Sequence, residues 1–89
     1  MIESEVQISN RLGLHARAAA RFVHLANQFA SRITVVKDGT RVDGKSILGL
    51  LTLAAARGMK IRVSAEGDDE KEAVDTLADL VRTRFGEED

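Results

Sequence analysis

Apolar and polar positions alternate at the start of the chain. Val6 and Ile8 stand against Glu5 and Gln7, which predicts a half-buried strand over residues 2–9, broken by Asn10-Arg11-Leu12-Gly13. The period then changes. Over residues 16–30, Ala18, Ala19, Phe22, Leu25, Ala26 and Phe29 fall on one helical face and Arg17, Arg21, His24 and Gln28 on the other. Ile33, Val35 and Val36 mark a second strand over residues 32–37. Asp38-Gly39 is a hairpin turn signal, because both residue types tolerate positive φ, and residues 40–43 return as a third strand. Gly44-Lys45-Ser46 opens a short helix through Leu53. Ile61, Val63 and Ala65 alternate with charged or hydroxyl residues in a fourth strand over residues 60–66. Gly67-Asp68-Asp69 turns the chain into a last helix ending near Phe85, striped by Val74, Leu77, Ala78, Val81 and Phe85. Asp69 and Glu72 are spaced as a capping box. Glu87-Glu88-Asp89 reads as a frayed tail.

The order is therefore βαββαβα, with no internal repeat or linker, and residues 1–89 form a single domain. Alternating strands imply a sheet with one wet face, so the three helices should cover the other in a two-layer α/β (α+β) sandwich. The Asp38-Gly39 hairpin makes at least one strand pair antiparallel.

Composition narrows the chemistry. The absence of Cys removes disulfides, thiol nucleophiles and cysteine zinc sites together. Thirteen basic and fourteen acidic residues are interspersed, and three Phe without Tyr or Trp offer little base stacking, so nucleic acid is not an expected partner. Glu3 and Glu5 stand where a signal peptide carries positive charge, and no apolar run approaches the ~20 residues of a membrane span. The expectation is a soluble cytoplasmic protein with no membrane insertion.

The first predicted helix starts in an unusual way. Its N-cap is His15, where Ser, Thr, Asp or Asn would be worth about 1 kcal/mol more than a poor capper. Gly13 permits the tight turn that brings His15 there. A helix start presents unpaired N–H groups and partial positive charge, which suits a phosphate and disfavours imidazolium, leaving one ring nitrogen free to attack phosphorus. Arg17 adds a planar donor fork for phosphoryl oxygens. Spacing alone still favours an incidental turn histidine, because His followed two later by Arg is common. A shared metal is a poorer reading: nine residues of helix put His24 ~13 Å from His15.

Gly39-Thr40-Arg41-Val42-Asp43-Gly44-Lys45-Ser46 matches the G-x-x-x-x-G-K-[ST] phosphate loop of nucleotide hydrolases. Against that reading, Asp38-Gly39 serves better as a hairpin turn, the chain is short for such a domain, and no apolar strand ends in an Asp placed for Mg²⁺. Nucleotide binding stays as a remote alternative. In the short helix, Leu50 and Leu53 share one side with Ile47 at its edge, and Leu48 and Leu51 share the other. Two readings remain open there, a helix sunk in the core on both sides or a protein-docking patch.

Taken together these segments resemble the HPr family, the histidine-containing phosphocarriers of the bacterial phosphoenolpyruvate-dependent sugar phosphotransferase system. The run from Asn10 through Leu14-His15-Ala16-Arg17 looks like the family's active-site signature, and Val42-Asp43-Gly44-Lys45-Ser46-Ile47-Leu48-Gly49-Leu50-Leu51 like its regulatory one. The resemblance implies an open-faced sandwich with a four-stranded antiparallel sheet. It implies that His15 accepts phosphate from phosphorylated enzyme I and donates it to enzyme IIA components, with Arg17 steadying the phosphoryl group. Such a protein is a stoichiometric phosphoryl carrier rather than an enzyme acting on a small molecule, needs no cofactor or metal, and is expected to be monomeric. Ser46 corresponds to the serine modified by HPr kinase/phosphorylase in some bacteria, which leaves a regulatory module acting through Ser46 as the alternative function. Ile47, Leu48 and Leu51 correspond to docking residues, with Ala20 and His24 on the same expected surface. The family usually has Pro after the active-site Arg; this chain has Ala18.

Overall fold

The computed structural model describes residues 1–88. Strands β1 (Ile2–Gln7), β2 (Arg32–Lys37), β3 (Thr40–Asp43) and β4 (Lys60–Glu66) form one sheet in the order β1-β4-β2-β3, antiparallel throughout. Helices α1 (Ala16–Ala26), α2 (Ile47–Thr52) and α3 (Glu70–Arg82) follow β1, β3 and β4, and a 3₁₀ turn, Arg84–Gly86, closes the described chain. This is the two-layer mixed α/β arrangement the patterning predicts.

Alternation along the strands does the sorting. Val6, Ile33, Val35, Ile61, Val63 and Ala65 are buried under the helices, while Glu3, Glu5, Arg32, Arg62 and Glu66 lie exposed. The helices bring Ala18, Ala19, Phe22 and Ala26 from α1, Leu50 from α2, and Ala73, Val74, Leu77, Ala78 and Val81 from α3 into one core. In α2 the two leucine sides separate as spaced: Leu50 and Leu53 are buried, and Ile47, Leu48 and Leu51 are exposed. The phosphate-loop match lacks its context. Asp38 and Gly39 form the β2–β3 turn with φ of 49° and 81°, and the middle of the match is strand β3, whose backbone pairs with β2. A phosphate loop needs those amides free, so the nucleotide-binding alternative falls.

Both α1 and α3 stop short of their expected ends: α3 ends at Arg82 rather than near Phe85, because Arg84 and Phe85 take positive φ and leave the helix. Helix α1 stops at Ala26, because Gln28 and Phe29 turn their amides three residues back, to Leu25 and Ala26, and tighten the chain out of the helix. Asp69 precedes α3 but caps nothing in it. Its carboxylate instead accepts from the amides of Ala30 (2.8 Å) and Ser31 (3.0 Å) and from the Ser31 hydroxyl, tying the start of α3 to the α1–β2 loop. The capping box is thus replaced by a tertiary contact, in which the Asp69 carboxylate satisfies three donors rather than the one it would take as a cap.

The Ser31 hydroxyl first, then the Ala30 amide, hold the Asp69 carboxyl below its ordinary 3.8. A depressed carboxylate contributes stability above its unfolded pKa and loses it as pH falls through the folded value. Asp69→Ala should therefore melt below the parent at neutral pH, with the gap closing as acid titrates the parent's carboxylate. Melting temperature measured against pH for both proteins checks this, and a gap that is flat with pH contradicts it.

Candidate functional site

The loop between β1 and α1 is pinned from three sides. The Leu14 amide donates to the Ala55 carbonyl at 2.9 Å, and the Gly13 amide to the Asn10 carbonyl at 3.2 Å. The buried Asn10 side chain donates to the Gly13 carbonyl at 2.8 Å. Gly13 has φ +68°, and a Cβ there would lie 2.6 Å from the Ala55 oxygen, so only glycine makes this turn without displacing backbone.

The pinned loop delivers His15 as the N-cap of α1, in extended conformation with φ −77° and ψ 177°. Its carbonyl accepts from Ala19 at 2.8 Å, the first intrahelical bond. Its Nδ1 accepts from the Arg17 amide at 3.3 Å, so this nitrogen carries the lone pair and faces the start of the helix. No acidic side chain occupies the first turn. The Arg17 side chain is exposed. Together with Arg11 and Arg21 it lines a basin of about 690 Å³ beside the ring, with Leu12 also on its wall. A histidine lone pair among helix amides and guanidinium groups suits a phosphoryl group.

The other ring nitrogen, Nε2, meets the Glu87 carboxylate in a short contact. The second oxygen of Glu87 accepts from Asn10 Nδ2 at 2.9 Å. The chain beyond α3 is therefore not frayed at Glu87, contrary to its polar composition. Phe85 is fully buried, and Arg84, Phe85 and Gly86 all have positive φ (59°, 54° and 79°), which bends the chain back over the start of α1. Arg21 holds this bend by donating to the Phe85 carbonyl. Burial works to raise the Glu87 pKa. The bonds from Asn10 and His15, with the charge of Arg21, outweigh it and hold the carboxyl below its usual range. Asp89 lies outside the described residues.

The structure thus brings His15 and Arg17 together and adds Asn10, Arg21, Leu12 and Glu87, which sequence reasoning did not select as site residues. Arg21 lies one turn after Arg17 on the same face, a spacing that could have found it. Nothing local marks Glu87. His24 is exposed far along α1, and among the described residues no group of side chains could hold a metal. Ser46 caps α2, its Oγ accepting from the Gly49 amide at 3.0 Å, and is half-buried. Leu48 is 74% exposed, Ile47 42% and Leu51 37%; Ala20 and His24 are exposed on α1, which packs against α2. Among the described residues no helix is long and apolar enough to cross a membrane.

Comparison with known proteins places the chain in a family. Residues 2–83 match the family described as the PTS HPr component phosphorylation site. A phosphocarrier protein HPr of Neisseria meningitidis serogroup A is 48% identical over 87 residues, 98% of each chain. The crystal structure of HPr-C-His from Thermoanaerobacter tengcongensis superposes with a TM-score of 0.94 at 49% identity, covering 99% of both chains. An HPr dimer from the same organism gives a TM-score of 0.78 at 48% identity, covering 98% of this chain and 100% of that one. With the match spanning nearly the whole sequence and the whole fold, the chain belongs to the HPr family of phosphocarriers of the phosphotransferase system.

Proposed function

We propose that this chain takes a phosphoryl group onto Nδ1 of His15 from phosphorylated enzyme I and passes it to enzyme IIA components in the cytoplasm. The observation that carries this reading is the lone pair of Nδ1 standing at the start of α1, on a basin that three arginines help to line. At 3.3 Å the Arg17 amide makes only a long bond to Nδ1, so arriving phosphorus displaces little. The freed amide then donates to a phosphoryl oxygen, and the Arg17 guanidinium takes others. The Nδ1 lone pair forms the new bond to phosphorus as the bond to the donor nitrogen breaks and its electron pair returns to the donor.

Ile47, Leu48 and Leu51, with Ala20 and His24 on the neighbouring helix, form the docking surface for enzyme I and the IIA components, and the working unit is a monomer. Exposed apolar side chains of this size on a short helix add little to folding but gain on being covered by a partner. Ser46 is the regulatory residue, accepting a phosphoryl group from HPr kinase/phosphorylase. A dianion there lies next in sequence to Ile47 and Leu48 and must lose water when a partner covers them.

His15→Ala should fold as the parent does and give no acid-labile adduct when mixed with phosphoenolpyruvate and enzyme I, read by intact mass. Arg17→Ala should keep the adduct but form it roughly ten- to hundredfold more slowly, the loss of one charge-assisted contact of about 1.5–3 kcal/mol. An unchanged adduct in His15→Ala removes the assignment.

Leu48→Glu and Leu51→Glu should each weaken binding to enzyme I by about tenfold or more while leaving the melting temperature nearly unchanged. Titration calorimetry and thermal melts read the two effects separately. A large fall in melting temperature would place these side chains in the core.

Ser46→Asp should stay folded, since Asp caps a helix as well as Ser, and should accept phosphate from enzyme I more slowly than the parent. Ser46→Ala should lose about 1 kcal/mol of stability with the cap and keep the parent's transfer rate. Equal rates in all three leave Ser46 as a helix cap alone.

A further inference from the structure

The Glu87 contact is not used by the phosphocarrier reading, yet it is the most constrained polar arrangement in the site. Its carboxylate is held by Asn10, a fully buried side chain that also closes the Gly13 turn. The chain reaches it through three consecutive left-handed residues, two of them not glycine, a conformation that the buried Phe85 and the Arg21 bond must hold in place. Burial leaves the Glu87 side chain 18% exposed and the His15 ring 26% exposed. The titratable and charged groups around it are His15 and, across the same basin, Arg11, Arg17, Arg21 and Glu88.

We propose that Glu87 is a positioning residue for His15: held by Asn10, its carboxylate takes the Nε2–H, turns Nδ1 toward the start of α1, and balances the charge the ring gains on phosphorylation. The inference rests on His15 being the phosphoryl acceptor. A carboxylate can only accept, so the nitrogen facing it must be the donor and the proton of the neutral ring sits on Nε2. That agrees independently with Nδ1 accepting from the Arg17 amide. When Nδ1 bonds to phosphorus no proton leaves, because Nε2 keeps its hydrogen and the donor recovers the electron pair of the broken bond. The ring therefore gains one positive charge, and Glu87 is the anion already against it.

The test uses the whole chain with Glu87→Ala and Glu87→Gln. In the parent, proton and nitrogen NMR of the unphosphorylated protein should show the His15 Nε2–H as a resolved, slowly exchanging downfield signal. Glu87→Ala should lose that signal by exchange with water and form the acid-labile adduct about tenfold more slowly with enzyme I, the lower end of what outer partners contribute to working histidines. Glu87→Gln, whose amide oxygen can accept the same bond without the charge, should recover the signal but not the full rate. It keeps the parent's size but gives up the bond from Asn10, so it reads the loss of the carboxylate even if the alanine variant unfolds. An N–H signal that survives in Glu87→Ala, or transfer in either variant as fast as in the parent or faster, overturns the proposal. Faster transfer would make the tail an obstruction. Failure of the underlying reading is distinct: it appears as an adduct that persists in His15→Ala, whatever Glu87 does.

Discussion

The hydrogen bond from the Leu14 amide to the Ala55 carbonyl decides where α1 can begin, and the rest of the site is arranged around that point. Ala55 follows α2, so this bond joins the two loops that flank the first and second helices. The bond needs the preceding residue to pass within a Cβ's reach of the same oxygen, which only Gly13 can do. Asn10 then locks the turn from inside with a side chain that water cannot reach. On the far side, α1 is held by its own buried face, where three of the four buried residues are alanines that let the helix lie close on the core. A helix fixed at both places cannot slide, and the residue at its start cannot turn away.

What such a helix start lacks matters as much as what it carries. An ordinary helix gains from Asp or Glu in its first turn, and α3 has both Glu70 and Glu72 there. Helix α1 has none, and its cap is a ring nitrogen that takes only a long bond from the Arg17 amide, where a carboxylate would satisfy the amides more fully. The first turn of α1 thus brings no anion of its own, and the nearby Glu87 carboxylate stands against Nε2, on the other edge of the ring. The cost in local stability is met by the core stripe and by the sheet, neither of which takes part in the chemistry. Phosphoryl transfer and folding therefore depend on largely different residues.

Legibility in the sequence followed the reach of each interaction. Strands β2, β3 and β4 were readable to the residue, because alternation and the Asp38-Gly39 turn are local signals. The place of His15 as a helix cap was readable for the same reason, whereas a role for its ring and for Arg17 came only with the family resemblance. The partner of Asp69 was not readable: its carboxylate goes to Ala30 and Ser31, nearly forty residues earlier, and no spacing rule sees that. The tail failed more completely. Arg84 and Phe85 adopt positive φ without being glycine, a conformation that only tertiary packing of Phe85 can impose, so a polar ending looked frayed. The phosphate-loop match failed in the opposite direction, where the letters were present and the loop was a hairpin.

Ala18 shows how far the local chemistry of the site can vary while its geometry holds. A proline in that first turn would preset φ and remove one amide. Alanine presets nothing, but its side chain is fully buried, so packing supplies the constraint that a ring would have supplied. It also keeps its N–H. The amides of Ala16, Arg17 and Ala18 all precede the first intrahelical bond, from Ala19 to the His15 carbonyl, and have no carbonyl behind them within the helix. Proline would leave two donors at this helix start; alanine leaves three. The substitution thus exchanges covalent rigidity for one more backbone N–H in the first turn of α1, and the loop pinned on Ala55 makes that exchange possible, since it already fixes the direction in which α1 sets out.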